Sequence, residues 1–441
     1  MVDVSVLVPV YNVKPYLRQC LDSLKAQTLG SIEFVCIDDG STDGSGEILD
    51  AYAAGDARFR VIHKANSGYG ASMNVGLRAA QGKYIGIVES DDFADEGMFE
   101  ALHEAAEAQQ ADIVKGNYYI YMEESGNTFH EMLAGLPYHV VCSARSECRL
   151  LQTDTFLWTS LYRAAFLREN DIWFHETPGA SFQDVSFSLK AALCAKRVYL
   201  VPEGYLHYRM DNPEASGHKV TTKYLCYHDE IAEYLRFLKE RNAEDQAVGK
   251  AAFYNAWRIY QTSCWPYVAR RDRGAYLRRV IEEFCQLETD GWLRDADWPA
   301  EDWKRLQDLL SHPQQWQFRC AIAVQQEDLL EQGFLANLKA VSAWYLYGAG
   351  QVAKRILHKL QPIGLQTAGI LVSETASNPS SIDSVPVYAL DASPADPEHD
   401  LVIIAVTPRK PDVQQEIFST LVHAGYRKVI VLTKELQQAL R

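Results

Sequence analysis

Two acidic clusters in the first hundred residues each follow a short apolar run. One contains Asp38 and Asp39, and the other contains Glu89, Asp91 and Asp92. Crowded carboxylates repel one another unless a cation or hydrogen-bond donors lie among them. Mg²⁺ and Mn²⁺ prefer oxygen ligands and commonly bridge a few carboxylates to substrate phosphates. The clusters therefore indicate a divalent-metal site for a phosphorylated ligand. The alternative is that they are turn and helix-cap residues.

The elements that would position these clusters alternate between strands and helices. The predicted strands are Val4–Val10, Phe34–Ile37, Arg60–His63 and Lys83–Val88, and the predicted helices cover Leu17–Leu24, Ser45–Ala54 and Ala71–Ala80. This alternation predicts a parallel, doubly wound α/β sheet, with ligands bound beyond the carboxyl ends of its strands. Two acidic clusters at one such edge favour the metal site over the turn interpretation.

The rest of the chain predicts two further regions. Residues 116–225 are more irregular, with helices at Thr155–Arg168 and Phe182–Ala195 and a strand at Val198–Val201. Residues 226–338 have helical spacing, and strands and helices alternate again from Ser342 onward. The predicted domains are therefore 1–225, a helical region at 226–338, and a second, small Rossmann-like α/β domain at 339–441.

Composition and charge narrow the class of protein. The 441 residues carry a formal charge of -15, which argues against nucleic acid as the main partner. Nine separate cysteines suit a reducing compartment and give no zinc-site spacing. Because neither a signal peptide nor a membrane-spanning stretch is predicted, the expected location is the cytoplasm, with the inner membrane face as the alternative. Arg270–Arg273 with Arg278 and Arg279 predict a solvated helix face; peripheral membrane contact is the other interpretation.

Four ordered motifs resemble those of family 2 glycosyltransferases. They are Val8–Asn12, Ile37–Asp43, Asn66–Gly68 with Asn74 and Gly76, and Glu89–Asp92. The resemblance covers about the first half of the chain. It implies the A-type glycosyltransferase fold, a nucleotide-diphosphate sugar donor and Mn²⁺ or Mg²⁺.

The resemblance also implies roles for individual residues that contact the donor nucleotide. Pro9, Tyr11 and Asn12 would line the base and ribose pocket, with Asp39 beside them. Asp38 would accept a hydrogen bond from a pyrimidine N–H, which favours UDP- or dTDP-type donors.

Further roles concern the diphosphate and the metal. Asp91 is the leading metal ligand and Asp92 the second, while Glu89 departs from the Asp that the family has there. Gly68, Gly70 and Asn74 would let the backbone approach the donor; alternatively they form a tight loop that caps a helix. Arg209 and His218 would reach the diphosphate, although a solvated or loop-stabilising role is the alternative for both.

The candidate general base is Asp184. It matches the second residue of the family's Glu-Asp pair, whereas Gln183 replaces the Glu. An inverting transfer needs one carboxylate to take the proton of the acceptor hydroxyl. The alternative is that Asp184 is a first-turn helix residue favoured by the helix dipole. Trp158 would pack in the core or stack under an acceptor sugar.

The C-terminal region contains a glycine turn between a strand and a helix. Gly348 and Gly350 have the spacing of a dinucleotide site, Ala353 replaces its third glycine, and Glu374 loosely matches its acidic residue. The region resembles small Rossmann-like domains appended to polysaccharide-assembly proteins. A structural role is preferred here over nucleotide binding.

The sequence thus predicts an inverting glycosyltransferase that uses a UDP-type nucleotide sugar. The acceptor would be a saccharide or lipid-linked saccharide hydroxyl, in bacterial surface polysaccharide or glycoconjugate assembly. Three alternatives stay open: a nucleotidyltransferase, a catalytically inactive nucleotide-sugar-binding scaffold, and a dehydrogenase built on the C-terminal glycine turn.

Overall fold

The computed structural model describes most of the chain as two compact units. The described residues are 2–154, 156–179, 182–213, 215, 224–261, 268, 272–313, 316, 338–375, 378–406 and 411–432. One unit comprises residues 1–269 and 287–300, and the other residues 270–286 and 301–441. The three-part division at residues 225 and 338 stays a prediction.

The first unit is built on a ten-stranded mixed sheet. Its strands are β1 (Val4–Val10), β2 (Ile32–Asp38), β3 (Phe59–His63), β4 (Tyr84–Ile87), β5 (Phe93–Ala94), β6 (Ile113–Met122), β7 (Gly126–His130), β8 (Val141–Cys142), β9 (Ser160–Arg163) and β10 (Val198–Arg209). The order is β3-β2-β1-β4-β9-β6-β10-β5, with β7 beside β6 and β8 beside β10. Strands β1 to β4 are parallel, so their carboxyl ends meet at one edge. The predicted α/β fold is confirmed.

Apolar faces hold the helices of the first unit against its sheet or against one another. The helices are α1 (Lys14–Lys25), α2 (Ser45–Gly55), α3 (Tyr69–Ala79), α4 (Met98–Gln109), α5 (Ala164–Glu169), α6 (Gln183–Cys194), α7 (Tyr224–Lys239), α8 (Ala243–Gly249) and α9 (Ala252–Ile259). In α1, Leu17, Leu21 and Leu24 are buried, as their spacing predicts, and Pro15 lies in its first turn.

Two predicted elements in the first unit differ from the structure. The helix predicted at Thr155–Arg168 is wrong: Ser160–Arg163 form β9, and a helix follows only at Ala164–Glu169. β9 pairs antiparallel with both β4 and β6, and this long-range pairing decides the local structure. The strand predicted at Val198–Val201 continues to Arg209, because register shifts on either side of Gly204 let it pass Pro202 without ending.

The second unit contains a six-stranded sheet. Its strands are β11 (Trp344–Tyr347), β12 (Gly369–Val372), β13 (Ser381–Ile382), β14 (Val385–Ala389), β15 (Leu401–Ile404) and β16 (Lys428–Val431), in the order β13-β14-β12-β11-β15-β16. Its helices are α12 (Gln351–Leu360) and α13 (Pro411–His423). The predicted second Rossmann-like sheet is confirmed, and the strands at 381–382 and 385–389 were missing from the prediction.

The helical part of the chain includes α10 (Arg273–Thr289) and α11 (Ala300–Ser311). Arg278 and Arg279 lie on exposed positions of α10, as a solvated face requires, whereas Arg270 and Arg271 lie outside the described residues. Trp257, near this basic run in the sequence, is buried and packs in the core. Of the helices that the structure describes, none has the length and apolar character needed to cross a bilayer.

Candidate active site

The carboxyl end of β2 fixes a loop at the edge of the sheet. Asp39 follows β2 and is buried, and its two oxygens accept hydrogen bonds from the backbone N–H groups of Ser67 and Gly68, each at 2.9 Å. The ammonium of Lys64 forms an ion pair with the same carboxylate. Asp39 thus holds residues 64–68 in place. Contact between Asp39 and a donor stays a prediction.

Asp38, the last residue of β2, faces a different set of partners. Oδ1 accepts a hydrogen bond from the Ser41 N–H at 2.9 Å, and Oδ2 lies 2.8 Å from Nδ1 of His63. Burial raises the pKa of Asp38, but the bonds from Ser41 and His63 outweigh it, so the net pKa lies below the ordinary value. Asp38 is therefore an ionised acceptor at neutral pH, which suits its predicted contact with a pyrimidine N–H.

The end of β1 pairs with the end of β2, with Val10 opposite Asp38. Pro9 is buried inside β1, whereas Tyr11 is 54% exposed. Asn12 adopts a positive φ of 50°, and its Oδ1 accepts the Thr42 N–H at 2.8 Å. The exposed Tyr11 ring is available to a ligand, and the Asn12 side chain links the loop after β1 to the loop after β2.

The predicted donor loop contacts another part of the chain, which we call the crossing segment (residues 173–179). A Cβ at Gly70 would lie 2.1 Å from the His175 carbonyl oxygen, and one at Gly68 would lie 2.8 Å from that of Thr177. Asn74 is buried and binds Phe174 through both of its amide atoms, at 3.0 and 2.9 Å. The close neighbour at these positions is thus the crossing segment, and their contact with a donor stays a prediction.

A second acidic cluster lies just beyond β4. Glu89 is half-buried, and its Oε1 accepts a hydrogen bond from the Tyr69 hydroxyl at 2.6 Å. Burial, together with the charges of Asp91 and Asp184, raises the pKa of Glu89 to about 8 against the opposing hydrogen bond from Tyr69. Glu89, Asp91 and Asp184 therefore share one electrostatic environment, although Asp184 is distant in sequence.

Asp91 and Asp92 have opposite surroundings. Asp91 is half-buried, and its Oδ2 accepts from the Asn212 side chain at 2.8 Å. Asp92 is buried, and its Oδ1 accepts the Arg209 N–H at 2.9 Å. Burial raises the pKa of Asp92 well above its ordinary value. Asp91 is thus the accessible carboxylate, whereas Asp92 is directed into the protein.

Arg209, at the end of β10, joins these elements. Its Nε donates to the Asp91 carbonyl oxygen at 3.0 Å and one terminal nitrogen to Asp211 at 3.1 Å. The guanidinium lies between the rings of Tyr16 and Tyr121, 4.9 and 4.7 Å from their centroids. Arg209 thus supports the backbone of the acidic cluster. Its contact with a diphosphate stays a prediction, and the other candidate, His218, lies outside the described residues.

Asp184 opens helix α6 beside the acidic cluster. Phe182 precedes the helix with a left-handed φ of 62°, and the predicted anchors Val185, Phe187 and Leu189 are all buried. Burial raises the pKa of Asp184 to about 6, while its backbone hydrogen bonds and the charge of Lys115 oppose the rise. The helix therefore holds a half-buried carboxylate that is ionised near neutral pH.

Lys115 is a site residue that the sequence analysis missed. It lies on β6, and its ammonium donates to the carbonyl oxygens of Phe156 at 2.9 Å and Asp154 at 3.3 Å. Burial lowers its pKa to about 8, and the charges of Asp154 and Asp184 act against that shift. A lysine in a strand rich in apolar and aromatic residues is a weak sequence signal, because only the three-dimensional fold places it near Asp184.

The arrangement fits a divalent cation in its donor chemistry. Asp91 and Glu89 offer hard carboxylate oxygens, and Oδ2 of Asp92 is buried without a hydrogen-bond partner among the described residues. Within the described ranges, no three His, Cys, Asp or Glu side chains are arranged to hold a metal. The chain would thus supply one or two carboxylates, and phosphate oxygens would complete the coordination.

Trp158 packs in the core, the first of the two roles considered for it. It is 5% exposed and stacks on Tyr208 with ring centroids 5.2 Å apart and on Phe156 at 4.9 Å. An aromatic ring enclosed in this way has no face left for a sugar.

Comparison with known proteins decides the family. Residues 5–182 match the profile described as Glycosyl transferase family 2. The uncharacterized glycosyltransferase EpsJ of Bacillus subtilis (strain 168) is 34% identical over 255 residues, which are 57% of this chain and 70% of EpsJ. The chain belongs to glycosyl transferase family 2.

Other relatives of this family 2 glycosyltransferase agree. GlyG of Streptococcus pneumoniae serotype 4 is 36% identical over 215 residues, 47% of this chain and 70% of GlyG. Poly(ribitol-phosphate) beta-N-acetylglucosaminyltransferase TarS of Staphylococcus aureus is 30% identical over 217 residues, 47% of this chain and 35% of TarS. The crystal structure of TarS 1–349 in complex with UDP-GlcNAc superposes with a TM-score of 0.57 at 20% identity, covering 75% of this chain and 92% of that structure. The fold is therefore the A-type glycosyltransferase fold, and the protein is a transferase.

Proposed function

We propose that this family 2 glycosyltransferase transfers a sugar, with inversion, from a UDP-type nucleotide sugar to a saccharide hydroxyl, in surface polysaccharide or glycoconjugate assembly. The observation that carries the proposal is the placement of Asp184 in the same electrostatic environment as Glu89 and Asp91. A base on one side and a phosphate-binding edge on the other are what a single displacement requires.

Asp184 is the proposed general base. Its carboxylate takes the proton of the acceptor hydroxyl as that oxygen bonds to the anomeric carbon. The bond from the anomeric carbon to the diphosphate oxygen breaks, and the nucleoside diphosphate leaves with that electron pair. The buried apolar side of α6 fixes the carboxylate, so that proximity contributes to the rate. One displacement inverts the anomeric configuration.

Asp91 and Glu89 hold the leaving-group side of the site. Asp91 is the proposed main ligand for Mn²⁺ or Mg²⁺, Glu89 assists, and Asp92 supports them from within the protein. When bound, the cation neutralises charge that develops on the departing diphosphate. Arg209 keeps the Asp91 backbone in place through its bond to the carbonyl oxygen.

The nucleotide preference rests on the β1 and β2 ends. Asp38 is an ionised acceptor whose pKa is lowered by Ser41 and His63, and the exposed Tyr11 follows β1, the strand that pairs with β2. The TarS complex with UDP-GlcNAc supports a uridine nucleotide for a chain of this fold. The name of TarS, a poly(ribitol-phosphate) glycosyltransferase, supports a polymeric acceptor.

The test is turnover of a panel of nucleotide sugars by the purified 441-residue chain. Nucleotide release should depend on Mn²⁺ or Mg²⁺, should be fastest with a UDP-sugar, and should rise when a saccharide acceptor is added. The anomeric configuration of the product, read by NMR, should be inverted. A retained configuration, or no nucleotide release with any UDP-sugar, would contradict the proposal.

A further inference from the structure

A buried carboxyl group, that of Glu230, contacts α6, the helix that carries the proposed base Asp184. Glu230 belongs to none of the motifs identified in the sequence. Glu230 is on α7, and its side chain is 1% exposed. Each of its two oxygens contacts a different element. Oε2 accepts a hydrogen bond from the Ser186 hydroxyl on α6, and Oε1 lies 3.1 Å from Nδ1 of His175 in the crossing segment.

The first contact reaches the base. Ser186 is two residues from Asp184 on the first turns of α6, and its side chain is fully buried. Lys190, one turn further along α6, adds two contacts between the same elements. It donates to the Trp173 carbonyl oxygen of the crossing segment at 2.7 Å and forms an ion pair with Glu233 of α7 at 3.2 Å. Helix α6 is thus fixed to α7 and to the crossing segment at the end that presents Asp184.

The second contact reaches the predicted donor loop. His175 carries the carbonyl oxygen that leaves no room for a Cβ at Gly70, and its neighbour Phe174 is bound by Asn74 of α3. The crossing segment also accepts the Tyr69 N–H at the Gly179 carbonyl oxygen, at 2.9 Å. One side of the crossing segment is therefore the start of α3, and the other side is Glu230.

We propose that Glu230 is a positioning residue of the transferase site, which fixes the spacing between the base helix through Ser186 and the donor-side loop through His175. This inference rests on the proposed function, since it assigns the base to Asp184. It also makes α7, which the sequence places in a separate helical region, a structural part of the catalytic unit.

Burying a carboxyl group costs free energy unless its hydrogen bonds are satisfied, so the buried Glu230 must have polar partners. Ser186 and Lys190 face Glu230 from α6, and His175 faces it from the crossing segment. Burial raises the pKa of Glu230 to about 8, with the charge of Asp184 adding to the rise, so the neutral form predominates at pH 7. A glutamine of the same shape can then keep both contacts.

The first test compares kinetic constants of full-length variants. Because misplacing a reacting group by about 1 Å costs on the order of a hundredfold in rate, E230A should lower kcat with acceptor by roughly 10- to 100-fold. E230Q should keep most of the activity. S186A should lower kcat, and H175A should raise the KM for the donor, since each breaks one of the two contacts.

A double variant separates positioning from loss of stability. If Glu230 acts through Asp184, adding E230A to D184N should cost no further turnover. L238V is the matched control, because Leu238 is buried on the same helix eight residues beyond Glu230, where its side chain lies against Gly249; it should lower the melting temperature and leave kcat unchanged. Losses that multiply in the double variant, or a kcat loss in L238V equal to that in E230A, would overturn the inference.

Hydrogen exchange tests the same inference without activity. In E230A, amides at the start of α6 and in the crossing segment should exchange faster than in E230Q, and those of β1 should not change. Equal exchange in E230A and E230Q would overturn the positioning role. If the wild-type protein releases no nucleotide from any donor, the proposed function fails, while this measurement still decides the role of Glu230.

Discussion

The two sheets of this molecule share a plan and differ at the ends of their strands. In the first unit the strands β1, β2 and β4 lead into Tyr11, Asp39 and the acidic cluster at Glu89. In the second unit β11, β12 and β15 lead into the small residues Gly348, Ser373 and Ala405. Both sheets contain a block of parallel strands, β3-β2-β1-β4 in the first and β14-β12-β11-β15-β16 in the second, and both place a helix after the first strand.

The difference shows that the fold provides a ligand-binding edge at the carboxyl ends of the strands, whereas the residues that follow the strands determine its chemistry. At the first edge, burial and the charges of Asp91 and Asp184 raise the pKa of Glu89. At the second, Gly348 has a φ of 106°, and Glu374 is an exposed residue just beyond β12, the parallel neighbour of β11. Glu374 thus lies beyond the strand where the dinucleotide motif has its acidic residue.

The largest expected effect comes from removing the base at the first edge. D184N should keep the affinity for the donor and lower turnover with acceptor by roughly a hundred- to ten-thousand-fold, as general-base removal commonly does. The measurement is steady-state kinetics with a UDP-sugar and a saccharide acceptor, together with donor affinity by calorimetry.

The matched control for this variant lies at the second sheet. Asp391 is exposed, so D391N makes the same chemical change in the C-terminal region and should leave turnover unchanged. Near-normal turnover in D184N would remove the base from the mechanism and leave the transferase assignment to the donor site alone.

A smaller effect is expected from the carboxylate that faces the donor. D91N should weaken donor binding in the presence of Mn²⁺ by about 10- to 100-fold, the value of losing one charged contact. It should not unfold the protein, because Asp91 is only half-buried. Donor affinity with and without Mn²⁺ is the measurement, and an unchanged Mn²⁺-dependent affinity would contradict the metal assignment.

The sequence predicted the first sheet well, because the local pattern of residues is enough to identify its strands. Continuous apolar runs such as Val4–Val10 are buried on both faces and form strands whatever surrounds them. The failure at Thr155–Arg168 has the opposite cause. Ser160–Arg163 is a strand because β4 and β6 flank it, and no local pattern records pairing partners that are distant in the chain.

The candidate site divides in the same way. Asp91 and Asp184 were identifiable because motifs surround them, whereas Lys115 and Glu230 lie in segments with no motif. Their relevance comes from contacts over long sequence separations, such as that of Ser186 with Glu230. Asn74 shows the converse: it belongs to a motif, yet its side chain binds Phe174 of the crossing segment.

The next prediction is that turnover depends on pH through Asp184, at the edge of the first sheet. Because burial raises the pKa of Asp184 to about 6 from 3.8, its basic form predominates above that pH and is lost below it. Turnover limited by chemistry should therefore fall about tenfold per pH unit below 6. The kcat profile in wild type and D184N is the measurement; a profile that stays flat down to pH 4.5, or the same fall in D184N, would contradict the assignment.

The smallest effect on turnover is expected from a substitution at the edge of the second sheet. It tests whether that sheet, unlike the first, takes no part in ligand binding. G348A forces a Cβ onto a backbone with a φ of 106°, while the nearest atom to that Cβ, Cγ2 of Val406, lies at an ordinary 3.5 Å. The cost is therefore conformational, about 1–2 kcal/mol, and should lower the melting temperature of the C-terminal unit. Turnover of the UDP-sugar should not change, since the Asp184 edge belongs to the other unit. Calorimetric unfolding and kinetics of the same sample measure both. If the wild-type protein binds NAD tightly and G348A abolishes that binding, the second edge is a nucleotide site. The two sheets would then differ in the ligand that they bind, and the second sheet would not be purely structural.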